Sequence, residues 1–365
     1  MIYILTQNYP SEKDKYAMSY VHSRNLIYQE QKLEFTVVSM VAVENYYFEG
    51  IKVITKNNFL ALIKADKLSM KDIIVSHAPN LKNHITLINK IYFKVKKVIV
   101  FFHGHEVLKT SDYYPKNYKF NKESYVKLIL RDLYDEVKLK IMKQFIEKLT
   151  RADKLTIICV SNWMKKHASL CLGIDFKKVE YKIINNNANQ VFVNSHYHLD
   201  DESLADFVTV RPLDVSKYAI DLVVKFAISN PEFKFHVYGK GEYFNYNKLP
   251  KNMKVINEFI SQKDFPALLN KYRCCLMPTR LDAQGVMVCE MATYGIPVIT
   301  SKLEVCEEML GDFTNVYLAE EDFFSKNTDR DFINQLSSVH DSFNKFSIEN
   351  TVLKEVNLLK DLQKK

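Results

Sequence analysis

The sequence predicts two doubly wound α/β domains in series. Three observations predict it. Apolar strands alternate with amphipathic helices from the first residues onward, a pattern that demands a parallel sheet covered on both faces. The alternation stops at a polar stretch, "NSHYHLDDES" (residues 194–203), and then begins again. A chain of 365 residues is also too long for one ordinary α/β core.

The first domain is expected over residues 1–193. Its strands read as short apolar runs over 2–6, 35–39, 51–54, 72–76, 97–102 and 154–160. Helices fit 18–31, 80–91 and a long stretch over 124–149. The long one places Val126, Leu130, Leu133, Val137, Ile141 and Phe145 at helical spacing. The second domain is expected over 204–345. Strands fit 206–210, 233–238, 254–256, 273–278, 297–300 and 315–318; helices fit 218–229, 263–270, 286–294 and 305–310. A last helix, within about 346–365, is expected to return to the first domain.

Ligands of doubly wound folds bind outside the carboxyl ends of the parallel strands. Two such domains sharing a central cleft would hold two ligands against each other, which suits group transfer. Glycine sharpens that expectation. There are only eight glycines, and Gly104, Gly239, Gly241, Gly285 and Gly295 fall at strand ends or helix flanks, where backbone must turn or approach a ligand.

Composition narrows the class. With 47% hydrophobic and 26% charged residues the chain has the profile of a folded, soluble protein. No apolar run approaches the roughly 20 residues of a membrane helix. The opening "MIYILTQNYP" reads as a strand, with neither the cationic start nor the cleavage site of a signal peptide. The six Cys show no metal spacing, and Cys159, Cys274, Cys275 and Cys289 lie inside apolar runs, as reduced core thiols of a cytoplasmic protein do. A formal net charge of +8 is compatible with a phosphorylated ligand, nucleic acid or an anionic membrane. No nucleic-acid module signature is present. Residues 116–154 hold eleven Lys/Arg against six Asp/Glu. They fit the solvated face of a helix, or a peripheral contact with the inner face of the cell membrane.

The stretch "PTRLDAQGVMVCEMATYGIPVIT" (residues 278–300) carries the chemistry. A buried strand ends at Pro278, a polar loop follows, and Gly285 opens a helix. A helix N-terminus is an anion site, and Gly285 lets backbone approach a phosphate. Asp282 precedes that terminus and Glu290 lies one to two turns inside. Carboxylates accept hydrogen bonds from sugar or ribose hydroxyls. The plainer reading makes Asp282 an N-cap and Glu290 an exposed helical residue.

This stretch resembles the signature of the family 4 retaining glycosyltransferases of GT-B fold, which is Glu, seven residues, Glu, then a small-residue helix end and a Gly-x-Pro-Val strand. Here it stands as Asp282, seven residues, Glu290 and "MATYGIPVIT". The wording "PTRxDAQGVxxCEM" is similar to one subgroup with Asp first. The resemblance implies that Asp282, Ala283, Gln284, Gly285 and Val286 meet the donor hexose and diphosphate, and that Glu290 binds ribose. In "FVTVRPLDVSKYAIDLVVKFA", Arg211 and Lys217 match the paired cations that hold the diphosphate; Val210 replaces a usual Gly. "FKFHVYGKGEYF" matches the next strand with Gly239 at its end, and Glu258 and Ile260 match the nucleobase loop. Glu307 fits an acidic residue that follows the next strand.

The first domain resembles the family at fewer landmarks. In "VIVFFHGHEVLK", His103 matches a histidine near donor sugar and acceptor, with His105 and Glu106 beside it on the acceptor side. "TQNYPSEKDKYAMSYVHSRN" resembles the opening loop, with Lys15, Tyr16, Ala17 and Met18 where many members have paired Gly; Tyr16 falls on the acceptor side. "VEYKIINNNANQVF" resembles the closing turn, with Asn186 and Phe192 in place. The implied activity is metal-independent, retaining transfer of a hexose-type sugar. The donor is a nucleotide-diphosphate sugar, there is no cofactor, and the acceptor is a glycan or lipid-linked glycan in surface polysaccharide assembly. A catalytically silent nucleotide-sugar binder, a sugar-nucleotide epimerase of the same fold, and a scaffold protein are the alternatives.

Overall fold

The structure, a computed structural model, describes residues 1–12, 14, 15, 17–258, 260–336 and 344–364. The chain forms two compact units. One comprises Met1–Asp112, Leu130–Asn187 and Ile348–Lys365; the other comprises Tyr113–Ile129 and Ala188–Ser347.

The first unit is built on eight strands: β1 (Ile2–Thr6), β2 (Phe35–Ser39), β3 (Tyr46–Phe48), β4 (Ile51–Thr55), β5 (Ile73–His77), β6 (Lys97–Phe102), β7 (Leu155–Cys159) and β8 (Tyr181–Ile183). Their order is β3-β4-β2-β1-β5-β6-β7-β8. All pairings are parallel except β3 with β4. β1, β5, β6 and β7 are buried along their whole length, so apolar residues line both of their faces and the alternation of a half-exposed strand is lost.

The C-terminal helix, Val352–Lys364, packs Val352, Val356 and Leu359 into the core formed around β1 and β2. A buried ion pair fixes its register. Arg24 Nε donates to both carboxylate oxygens of Glu355 at 2.9 and 3.2 Å, and the Tyr28 hydroxyl donates to Glu355 at 2.8 Å. Arg24 also donates to the side chain of Asn186 and, at 3.4 Å, to the Asn185 carbonyl. One guanidinium thus joins the first helix, the closing turn and the last helix.

The second unit is a six-stranded parallel sheet: β9 (Ala205–Val210), β10 (Phe235–Tyr238), β11 (Met253–Ile256), β12 (Tyr272–Leu276), β13 (Val298–Ser301) and β14 (Val316–Ala319). The order is β11-β10-β9-β12-β13-β14. Its apolar core gathers Phe207, Phe226, Phe233, Phe235, Leu276 and Ile299.

Three sequence expectations change. The first domain was expected to run unbroken to residue 193. Instead residues 113–129 group with the second unit. There Tyr118 meets Tyr243 edge-on at 5.0 Å, Phe120 stacks on Tyr246 at 4.9 Å, and the Tyr118 hydroxyl donates to Asp221 at 2.8 Å. The boundary lies at residues 187 and 188 rather than in the polar stretch 194–203.

The long helix, Tyr125–Arg151, is present, but its helical apolar spacing does not mark its buried face. Val126, Leu130, Leu133, Val137 and Ile141 are exposed, and only Phe145 of that series is buried. The buried face is a second apolar stripe, Leu139, Met142, Phe145, Ile146 and Leu149, with Asp135 and Lys138 at its start. Among the described residues no helix is long and apolar enough to cross a membrane.

Candidate functional site

In the second unit the chain winds outward from β9 in both directions, through β10 and β11 on one side and through β12, β13 and β14 on the other. The carboxyl ends of β9 and β12 therefore diverge, and the crevice between diverging loops is where doubly wound sheets take ligands. Arg211 leaves the end of β9, and the segment Met277–Gly285 leaves the end of β12.

Arg211 is the most informative residue there. It is 6% exposed. One terminal nitrogen, Nη2, donates to the Met277 carbonyl at 3.3 Å, while Nε has no hydrogen-bond partner among the described residues. A buried guanidinium with an unused donor is costly unless an anion completes it. Burial pulls its proton affinity down, while the nearby Asp282 carboxylate opposes that. Tyr218 brings the two predicted cations together. The Arg211 guanidinium lies 5.1 Å from its ring centre and the Lys217 ammonium 4.9 Å from the same centre.

The helix Val286–Tyr294 starts from Gly285, whose φ of 74° explains the glycine. Space does not explain it, since a Cβ there would meet only the Asp282 side chain at an ordinary 3.7 Å. The Asp282 carboxylate turns back on its own loop and accepts from Ala283 N at 2.9 Å and from Gln284 N at 3.4 Å. Ala283 and Val286 are half-buried and Gln284 is buried.

The same device opens three helices. Each helix that follows β1, β9 or β12 begins from a left-handed residue, namely Met18 (φ 49°), Ala219 (φ 50°) and Gly285. Only the third uses glycine. The other two hold a side chain in a conformation that favours glycine.

Glu290 is half-buried, one turn into its helix. Burial pushes its carboxyl up to about 7, against a hydrogen bond from Asn189 N at 3.0 Å that works the other way. Glu290 is therefore no ordinary exposed helix carboxylate. It is balanced between charged and neutral forms near neutrality. Asn189 itself caps the short helix Gln190–Val193.

Gly239 has a structural reason of its own. Arg211 N donates to the Tyr238 carbonyl at 3.0 Å and Leu213 N to the Lys240 carbonyl at 2.9 Å. The two loops run so close that a Cβ on Gly239 would lie 1.9 Å from the Arg211 carbonyl oxygen. A Cβ on Gly241, whose φ is 143°, would meet the Asp214 carboxylate at 2.7 Å. The "GKG" run thus braces the loop that carries Arg211. Glu258, exposed, and Ile260, half-buried, follow the end of edge strand β11. Glu307 lies in the first turn of the helix Glu304–Leu310, after β13.

Sequence reasoning missed the residues that hold Lys217. Arg280 N donates to the Lys217 carbonyl at 2.7 Å and Thr279 Oγ1 to the same oxygen at 3.1 Å. The Arg280 side chain forks onto Asp221 at 2.8 and 2.6 Å and also donates to the Ser216 carbonyl at 3.1 Å. Burial alone would push the Asp221 carboxyl up. The Arg280 hydrogen bonds and charge, with Tyr118, outweigh burial and hold it below the usual range. Arg280 stands inside the quoted signature, yet its partner lies 59 positions away.

In the first unit, His103 follows β6 and is half-buried. Its backbone N–H and that of Gly104 both donate to the Glu106 carboxylate, the second at 3.0 Å. Glu106 is 2% exposed, and its second oxygen lies 3.5 Å from Nδ1 of the exposed His105. The inward face of the long helix holds this loop. Lys138 Nζ donates to the carbonyls of His105 and Leu108 at 2.9 and 3.1 Å and to Asp135 at 2.7 Å. Asp135 in turn accepts from Thr110 N at 2.6 Å. This is why two polar residues begin the buried face of the helix, and why Lys138 is not solvated as the lysine-rich segment implied. The Tyr20 ring sits 4.7 Å from His103. Tyr16 lies outside the described residues.

Comparison with known proteins bears on this geometry. Residues 210–338 match the family described as glycosyl transferases group 1. That span contains Arg211, Lys217, Gly239, Glu258, Asp282 and Glu290 and covers about a third of the chain. No curated protein sequence matches the chain. Solved structures match over both units. A sucrose-phosphate synthase from Thermosynechococcus elongatus superposes with a TM-score of 0.65 at 11% identity, covering 99% of this chain and 98% of its own. A glycosyltransferase from Rickettsia africae gives 0.63 at 14%, again covering 99% and 98%. A pneumococcal O-GlcNAc transferase, solved with UDP and GlcNAc, gives 0.53 at 14% over 87% of this chain. The chain spans only 62% of that transferase's length. At these identities the likeness establishes the fold, which is GT-B.

Proposed function

We propose that this chain is a retaining glycosyltransferase that takes a hexose-type sugar from a nucleotide-diphosphate sugar and passes it to a glycan or lipid-linked glycan. Arg211 carries the reading. A buried cation whose Nε has no partner among the described residues, beside Lys217 on the same tyrosine ring and at the diverging strand ends, calls for a polyanion. The group 1 match over the same residues supports the same class of donor. The solved transferase that holds UDP and GlcNAc is a further, coarser support.

In this reading the diphosphate binds Arg211, Lys217 and the amides at Gly285 and Val286, with the sugar toward Asp282. Glu290 accepts from the ribose hydroxyls. The bond between the sugar C1 and the β-phosphate oxygen breaks, and its electron pair leaves with the diphosphate. The two cations stabilise that growing charge. The acceptor hydroxyl bonds to C1 on the face the diphosphate leaves. Its proton passes to the departing phosphate oxygen, so no base of the protein is consumed. His103 orients polar groups of the substrates.

The test is transfer by the wild type against Lys217→Ala. The variant keeps the carbonyl that Arg280 and Thr279 hold, so the fold should survive. Activity should fall by about a hundredfold or more. Full activity in the variant would overturn the assignment. Interconversion of donors without an acceptor would replace it with an epimerase.

A further inference from the structure

His77 is the last residue of β5, fully buried, and absent from every role described so far. Its neighbour across the sheet is Phe101 of β6, with which it is in register. The two rings stack at 4.3 Å between centres, which fixes the plane of the imidazole. Held there, His77 Nδ1 lies 3.2 Å from Nε2 of His103. His77 Nε2 is buried and has no hydrogen-bond partner among the described residues.

Two neutral imidazoles facing each other through nitrogen share one proton, and the orphaned Nε2 decides which ring carries it. Burial holds both rings far below the usual histidine range; for His103 the Arg24 charge adds to it, and for His77 the neighbouring His103, Arg24 and His84 charges do. If His103 donated from Nε2, neutral His77 would have to carry its proton on Nε2, as a buried N–H with no acceptor. A buried N–H left without an acceptor carries its full desolvation cost, and orphaned donors are rarer in folded proteins than under-used acceptors. If His77 donates from Nδ1, its Nε2 is only a bare lone pair.

We infer that His77 is a positioning residue: it donates from Nδ1 to His103 Nε2 and so fixes His103 as its Nδ1–H tautomer, a neutral hydrogen-bond donor toward a substrate oxygen. His103 then cannot serve as a proton acceptor through Nε2, which is already occupied. The role in transfer rests on the function proposed above. The tautomer does not, because it is a property of the free protein. Tyr20, whose ring rests on His103, limits the rotation that would undo the contact.

The test is the long-range proton–nitrogen correlation spectrum of the imidazoles in the full-length protein without substrate. The expected pattern is a protonated Nδ1 and a bare Nε2 for His103 in the wild type. In His77→Phe, which keeps a ring to stack on Phe101 but has nothing to donate, His103 should shift toward protonated Nε2. A wild-type His103 protonated on Nε2, or an unchanged His103 in the variant, would overturn the inference. The wild-type spectrum decides alone if the variant does not fold. If the protein proves to be a transferase, His77→Phe should lower kcat about tenfold or more while the donor KM holds. A donor KM that rose with unchanged kcat would also contradict the positioning role.

Discussion

Glu290 offers a prediction that separates stability from function. Replace it by Gln. The amide keeps an oxygen for Asn189 N–H, now 3.0 Å from the carboxylate, and adds no volume. What disappears is the charge. In the unfolded chain this carboxyl ionises near 4.5, and in the fold near 7. Below pH 4.5 both states hold the proton, and the wild type loses nothing. As pH rises the unfolded state ionises first, so stability drains away until the folded carboxyl has ionised above about 7. The full cost at high pH is about 3 kcal/mol.

The variant is spared that cost. Its advantage over wild type should therefore grow by about 2 kcal/mol between about pH 5.5 and about pH 8.5. Urea denaturation at the two pH values, followed by circular dichroism, measures it. At the same time nucleotide binding should weaken roughly ten- to a hundredfold, the worth of a hydrogen bond to a charged acceptor. Such an exchange of stability for binding is what a functional site produces. An advantage independent of pH, or a variant less stable at high pH, would refute the burial argument. Undiminished nucleotide binding would refute the ribose role.

Other outcomes follow from the same geometry. Gly239→Ala should cost several kcal/mol, about 3 or more, because backbone oxygen cannot move aside for a Cβ at 1.9 Å; thermal melting measures it, and nucleotide affinity should fall with it. Asp221→Asn removes the charge that holds Arg280 and so frees the turn that carries Lys217; donor KM should rise about tenfold with little change in melting temperature in the bound state. Transfer should persist in excess chelator, because Arg211 and Lys217 supply the positive charge in the proposed mechanism; loss of activity on metal removal would contradict it.

Much of the scaffold was legible because its strands are buried on both faces. Runs such as "IYILT" and "KVIVFF" carry that burial openly, and the strands after them coincide with the expected ones to within a residue or two. The misses are short or half-exposed. β3 has three residues and an antiparallel partner, and β8 carries the exposed Tyr181 and Lys182 at the sheet edge. Neither has an apolar period to find.

The long helix shows a deeper limit. The helix carries two apolar stripes at helical spacing, and the fold buries the one through Leu139, Met142, Phe145, Ile146 and Leu149, where Lys138 holds the carbonyls of His105 and Leu108 and Asp135 accepts from Thr110 N. That choice depends on a loop whose shape no local pattern encodes. The site divides the same way. Arg211 and Lys217 were singled out by resemblance, and Asp282 and Glu290 by spacing and resemblance. Tyr218, Arg280 and Asp221 work only through contacts made across the fold. His77 lies one residue past the expected strand 72–76 and carried no signal in the sequence; only the fold turns its nitrogen toward His103.

The central claim is that Arg211 and Lys217 hold a nucleoside diphosphate at the diverging ends of β9 and β12. Calorimetric titration of UDP and GDP into the wild type and into Lys217→Ala tests it most directly. The account predicts saturable binding of one of them to the wild type and at least a tenfold loss in the variant. No binding of either nucleotide, or equal binding by both proteins, would contradict it.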